Sequence, residues 1–212
     1  MGHTARIKLD LVLQRLAPVG IYAKKYEWAG RRELGDCGLW VRAATLDFDD
    51  GEWECQVTAS EFTTQDALTS SPARLVVRVA PQRPRIEYNS SQVLPEHNVT
   101  GRAGETAAIK CVSRYGNPPA RLKWFLDGEE LAGANQTNSL EADNRRTWVA
   151  SSQLQLPLAR RQHGRALRCV ATHESHDTRA QSITVRLDVL CEWRSLQCGQ
   201  GPTLRCHCLL PF

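Results

Sequence analysis

No stretch of this sequence approaches the ~20 consecutive apolar residues that cross a bilayer, which excludes a helical membrane bundle. An export signal is missing too. Lys8 and Asp10 interrupt the N-terminal segment and leave only Leu11-Val12-Leu13 contiguous, too little for the apolar heart of a signal peptide. Charge of one sign is scarce: 27 basic against 23 acidic residues give +4. The basic residues come as scattered pairs, Arg31-Arg32, Arg145-Arg146 and Arg160-Arg161, rather than as the phosphate-reaching stripe that nucleic acid requires. Catalytic punctuation is absent: there is no G-x-G-x-x-G, P-loop, G-x-S-x-G or HExxH pattern. No Ser–His–Asp set stands out, so no enzyme, cofactor, resident metal or small-molecule substrate is expected.

What is present is 212 residues, 42% of them apolar and 24% charged, enough for one large domain or two of about 100 residues. Eight cysteines occur, four of them within the last 22 residues. Three N-x-S/T sequons, at Asn89, Asn98 and Asn135, lie among turn-forming residues and point to a glycosylated, extracellular chain. A surface protein without an export signal is contradictory, and an incomplete N-terminus is the expectation that resolves it.

Alternation dominates the pattern. Leu75, Val77 and Val79 share one face; so do Ala107, Ile109 and Cys111, then Leu122, Trp124 and Leu126. Leu154 with Leu156, Leu167 with Cys169 and Ala171, and finally Ile183, Val185, Leu187 and Val189 repeat the arrangement. Period-two segments separated by Gly, Pro, Asn and Asp read as antiparallel strands with one buried face, and several at this spacing suggest β-sandwiches. Ala80-Pro81-Gln82-Arg83-Pro84 reads as a stiff connector. The expected organisation is a first domain over 1–79, a linker over 80–84, a second domain over 85–190 and an irregular Cys-rich tail over 191–212.

In the second domain Cys111 and Cys169 are 58 residues apart and Trp124 follows Cys111 by 13, each on the apolar face of its strand. An immunoglobulin sandwich uses this arrangement, two cysteines bridging the sheets with a tryptophan packed against them. Closing so long a loop stabilises the fold by roughly 4 kcal/mol in the chain-entropy view. Leu167 stands two before the second cysteine, where a tyrosine corner has its tyrosine, and His163 stands where aspartate is usual. The domain therefore reads as constant-like.

In the first domain Asp49-Asp50-Gly51-Glu52-Trp53-Glu54-Cys55 is a D-x-G-x-W-x-C corner of a variable-like immunoglobulin domain, with Trp53 in the tyrosine's place. A calcium loop opening at Asp47 fails, because its sixth and twelfth positions hold Glu52 and Thr58 instead of glycine and glutamate. The framework partner of Cys55 would lie before residue 1, and Cys37, 18 residues upstream, is a poor substitute. The expectation is an all-β chain of tandem immunoglobulin-like β-sandwiches, the first incomplete. Cys37 and Cys55 are expected to lack their natural partners.

Other clusters are weaker. His173 and His176 read as part of a turn between two strands, with Asp177 and Thr178, and not as a metal site. Cys191, Cys198, Cys206 and Cys208 are separated by six, seven and one residues, which do not suit zinc. A small disulfide knot is one alternative for the tail; translated non-coding sequence or an alternative exon end is the preferred one.

Cys37-Gly38-Leu39-Trp40-Val41 followed by DFDDGEWECQV resembles the first domain of nephrin-like adhesion proteins, the irregular-chiasm, roughest and hibris relatives. CVSRYGNPPARLKWFLDG and RRTWVASSQLQLPL resemble the second, constant-like domain of that group, while Cys37 and the Gly-x-Pro-Pro-Ala run are similar to fasciclin III. The resemblance covers roughly residues 19–190. It implies a single-pass cell-surface protein that recognises immunoglobulin domains on a neighbouring cell, homophilically or heterophilically. It also implies contact through the first domain's C–F–G sheet, where Gln56 in Trp53-Glu54-Cys55-Gln56-Val57 is the contact candidate. Membrane attachment would come through a span outside this chain. The alternative is a secreted, soluble immunoglobulin-type binding protein or a non-functional truncated product.

Overall fold

The computed structural model describes residues 4–10, 24–29, 38–58, 68–176 and 180–191. It divides into two compact units, 1–77 and 78–212. Among the described residues both are built mainly of strands, and no helix is long and apolar enough to cross a membrane.

In the first unit, β1 (Thr4–Asp10) runs parallel to β4 (Gly51–Thr58), while β5 (Leu68–Thr69) and β6 (Ala73–Leu75) pair antiparallel with β4. A separate hairpin joins β2 (Tyr26–Trp28) to β3 (Leu39–Val41), with Glu27 opposite Trp40. The single helical turn α1 (Leu46–Asp49) leads into β4. The alternating run at 75–79 does not form one strand. Leu75 pairs with Gly51, the Val77 N–H is taken by the Asp50 carboxylate at 2.8 Å, and Val79 makes a bridge with Asn117 in the second unit.

The described residues of the second unit form a two-sheet sandwich of ten strands: β7 (Arg85–Tyr88), β8 (Ser91–Val93), β9 (Asn98–Arg102), β10 (Thr106–Gly116), β11 (Arg121–Leu126), β12 (Glu129–Leu131), β13 (Asn135–Leu140), β14 (Trp148–Pro157), β15 (Ala166–Thr172) and β16 (Gln181–Leu190). One sheet has the order β13-β14-β10-β7-β8 and the other β12-β11-β15-β16-β9. The alternating residues fill the space between them. Ile109, Cys111, Leu154 and Leu156 face Leu122, Trp124, Leu126, Leu167, Cys169, Ile183, Val185, Leu187 and Val189, all buried in one cluster. Cys111 and Cys169 are disulfide-bonded across the sheets with Cα atoms 6.4 Å apart.

Local chemistry sets the turns. Asp127 and Gly128 both have positive φ, 49° and 94°, the geometry of a two-residue hairpin that twists with its strands, and they join β11 to β12. The Asp127 carboxylate also accepts from Arg165 Nε and the Ala166 N–H, which ties this hairpin to the start of β15. The Arg165 hydrogen bond, reinforced by the Ala166 N–H, holds the Asp127 carboxyl below the usual carboxylate range. Residues 80–84, expected as a stiff connector, belong to the second unit: Pro81 and Pro84 are buried, and the Gln82 N–H donates to the Arg114 carbonyl at 2.8 Å.

Candidate recognition surfaces

The corner of the first unit is organised around Asp49, whose side chain is fully buried. Lys25 Nζ lies 2.8 Å from Asp49 Oδ2, and the Tyr26 hydroxyl and the Thr45 N–H both donate to the same carboxylate. Burial pushes this carboxyl up, but the hydrogen bonds from Lys25, Tyr26 and Thr45 outweigh it and hold the group below its ordinary range. Trp53 Nε1 donates to the Asp49 carbonyl at 2.8 Å. An indole thus makes the backbone contact that a tyrosine hydroxyl makes in a tyrosine corner. Tyr26 meets the Trp53 ring edge-on with centroids 5.6 Å apart. The upstream Lys25-Tyr26 pair has no signature in the sequence, because the two lie 24 and 23 positions before Asp49 and no local motif links them.

Gln56 lies in β4, opposite Thr69 on one side and Lys8 on the other. Its side chain, that of Cys55, and all of Cys37 lie outside the described residues, as do Cys198, Cys206 and Cys208. Cys191, just after β16, is itself disulfide-bonded. Two aromatic side chains of the first unit stand in solvent, Trp40 at 64% and Phe48 at 54% exposure, a surface type enriched in protein interfaces.

In the second unit Asn89, Asn98 and Asn135 are all exposed. Asn89 sits in the turn between β7 and β8, Asn98 opens β9 and Asn135 opens β13. Trp124 is 1% exposed, and its Nε1 donates to Ser152 Oγ at 3.1 Å across the sandwich. His163, in place of the usual aspartate, accepts the Val189 N–H on Nδ1. Leu167 fills the tyrosine's place as a wholly buried core residue.

One end of this unit carries an open groove of about 680 Å³ whose lining includes Pro118, Pro119, Arg121, Gln136 and His173. His173 Nε2 lies 2.8 Å from the Pro118 carbonyl, and its Nδ1 accepts the Ser175 N–H. With Nδ1 accepting, the ring proton sits on Nε2, so both nitrogens serve the turn. Gln136 accepts the Leu122 N–H at 2.9 Å and donates to the Ala120 carbonyl at 2.9 Å, so its amide acts as a one-residue strand beside the part of β11 that β12 leaves open. In the same unit, the buried Glu141 carboxylate accepts from Arg114 Nε and Nη2 and from the Tyr115 N–H. Among the described residues no group of three or more His, Cys, Asp or Glu could hold a metal ion.

Comparison with known proteins now fits this geometry. Residues 86–180 match the CD80-like C2-set immunoglobulin domain. Mouse Cell adhesion molecule 3 is 30% identical over 142 residues, 67% of this chain and 32% of that protein. Human Kin of IRRE-like protein 1 is 28% identical over 165 residues, 78% of this chain and 20% of that protein. The chain therefore spans about a third or less of these relatives. The crystal structure of Rst D1-D2 superposes with a TM-score of 0.58 at 27% identity, covering 79% of this chain and 76% of that one. Residues 86–180 are a C2-set immunoglobulin domain, and the chain is a homologue, at modest identity, of immunoglobulin adhesion proteins that include syg-1, Cell adhesion molecule 3 and the Kin of IRRE-like proteins of the nephrin and IRRE group.

Proposed function

We propose that this chain is an extracellular recognition module of a cell-adhesion protein, binding immunoglobulin-domain proteins on the surface of a neighbouring cell through sheet-face contacts. The observation that carries the reading is the alignment to Kin of IRRE-like protein 1 over 78% of the chain, which extends well beyond the C2-set domain. The first unit supplies the contact surface in this reading, through β4 with Gln56 and through the exposed rings of Trp40 and Phe48. The C2-set unit supports it, with glycans on Asn89, Asn98 and Asn135. Membrane attachment of the parent protein is single-pass and lies outside this chain. Catalysis has no part in the activity.

A bead-clustering assay tests this. Beads coated with the secreted, glycosylated chain are mixed with beads coated with the chain itself or with the ectodomain of syg-1, Cell adhesion molecule 3 or Kin of IRRE-like protein 1. Clustering in at least one pairing, lost on Trp40→Ala or Gln56→Arg, is the expected result. No clustering in any pairing, or clustering indifferent to both substitutions, contradicts the proposal.

A further inference from the structure

The two outer faces of the C2-set unit differ in charge and in what borders them. On the sheet β13-β14-β10-β7-β8 the outward residues of β14 include Ser151, Gln153 and Gln155, all uncharged; Lys110 of β10 is paired with Glu87 of β7 at 3.7 Å, and Arg85 of β7 is a further cation beside them. Both edge strands of that sheet adjoin a sequon: Asn135 opens β13, and Asn89 lies in the turn entering β8. The sheet β12-β11-β15-β16-β9 has a sequon at one edge only, Asn98 at the start of β9. Its other edge, β12, has none.

Beside that bare edge lies a basic face. Arg121, Lys123 and Phe125 project outward from β11, alternating with buried Leu122, Trp124 and Leu126. Arg168, Val170 and Thr172 project from β15, where the register sets Phe125 opposite Arg168, Lys123 opposite Val170 and Arg121 opposite Thr172. Neither strand contains an acid. Lys123 is paired with Glu130 of β12 at 2.9 Å, whereas among the described residues Arg121 and Arg168 have no carboxylate partner. The Arg168 guanidinium lies 5.3 Å from the Phe125 ring centroid, stacked over it.

We propose that the outer face of β11 and β15 is a second docking surface, one that takes a carboxylate-bearing protein surface. Arginine is weakly hydrated and presents a planar fork that matches carboxylates, so unpaired guanidiniums on a rigid sheet favour an acidic partner. Phe125 and Val170 between the cations supply the apolar centre of a protein interface, which a sulfated polysaccharide does not need. Pairing of this face with itself in a two-fold dimer is disfavoured, because it would bring one basic face against another. Glycans at three of the four sheet edges cover the unpaired strand edges and leave this sector open. That last point rests on the extracellular, glycosylated setting proposed above.

The test uses the full chain secreted from eukaryotic cells and immobilised, with a random glutamate–tyrosine copolymer as the acidic protein-like probe and heparin as the polysaccharide. The copolymer is expected to bind and to weaken at least tenfold in the Arg121→Glu, Arg168→Glu double variant, with no change for Lys110→Glu on the opposite sheet. A glycan introduced at the bare edge by Glu130→Asn with Ala132→Thr is expected to abolish binding, while one introduced by Gln153→Asn with Gln155→Thr leaves it intact. Retention of the Cys111–Cys169 peptide pair and of the melting temperature shows that each variant is folded. Absence of copolymer binding, binding indifferent to the arginine changes, or binding of heparin alone overturns the inference. A glycosidase digestion that leaves the mass unchanged would count against the extracellular reading; a glycosylated chain that ignores the copolymer counts only against this face.

Discussion

Trp124 and Ser152 join the two sheets of the C2-set unit by a hydrogen bond from the indole N–H to the hydroxyl, 3.1 Å long and buried. The bond lies in the layer of the Cys111–Cys169 bridge, since Trp124 pairs with Cys169 on β15 and Cys111 with Ser152 on β14. Trp124 therefore fills the inter-sheet space without leaving a polar atom unsatisfied. Ser152→Ala should cost about 1–3 kcal/mol by stranding the indole donor, read as a lowered urea midpoint at unchanged m. A loss no larger than that of the half-buried, outward-facing Ser151→Ala on β14 would separate the hydroxyl from the packing of Trp124.

Replacing Cys111 and Cys169 together by alanine should cost roughly 4 kcal/mol through the freed loop of the unfolded chain. Reduction of the secreted protein should mimic the substitution. Equal urea midpoints for the oxidised and reduced chain would remove the bridge from the stability account.

How much of this could be read from residues depended on distance along the chain. The strand faces of the second unit were legible because alternation repeats within each strand, as at Ala107-Ile109-Cys111 and Leu122-Trp124-Leu126, and all of these are buried. The bridge was legible because spacing and phase agreed. Ser152 as the partner of Trp124 was not, since an inward-facing serine on β14 has no signature until the sheets are stacked. Gln136 was missed for a related reason: it is the middle residue of a sequon, and its amide becomes meaningful only when β13 comes beside the uncovered part of β11. The alternation at 75–79 does not become one strand, because β6 ends at Leu75 and the Val77 N–H goes to the Asp50 side chain.

Gln136 makes a specific prediction. Gln136→Ala leaves the Leu122 N–H and the Ala120 carbonyl without their partners and should destabilise the second unit by about 1–3 kcal/mol. Gln136→Glu keeps the acceptor for Leu122 but loses the donor to Ala120, and should fall between. Amide exchange at Leu122 reports the effect directly, with faster exchange in Gln136→Ala than in Gln136→Glu. Equal exchange in all three proteins would contradict the strand-mimic role.

The first unit should lose stability in acid through Asp49. Its carboxyl is held below the usual range, so the folded form binds its proton less readily than the unfolded form. The associated stability is complete above the ordinary aspartate value of about 3.9 and is lost as pH falls through the lower folded value. Asp49→Asn should flatten this acid limb, followed by the resolved indole N–H resonance of Trp53 against pH. An acid limb unchanged by Asp49→Asn would assign it to other carboxylates.

Trp53→Phe keeps the ring beside Tyr26 but removes the donor to the Asp49 carbonyl, and should cost about 1 kcal/mol. Trp53→Tyr restores a donor and should recover part of that loss in a urea titration. No difference between the Phe and Tyr variants would mean that the corner hydrogen bond contributes little.

Protein recognition through the first unit is measured directly by a biolayer titration of the secreted, glycosylated chain against the immobilised ectodomains of syg-1, Cell adhesion molecule 3 and Kin of IRRE-like protein 1 and against itself. Saturable binding to at least one of them is expected, weakened at least tenfold by Trp40→Ala with the melting temperature unchanged. Absence of saturable binding to all four, or equal affinities for wild type and Trp40→Ala, would contradict it.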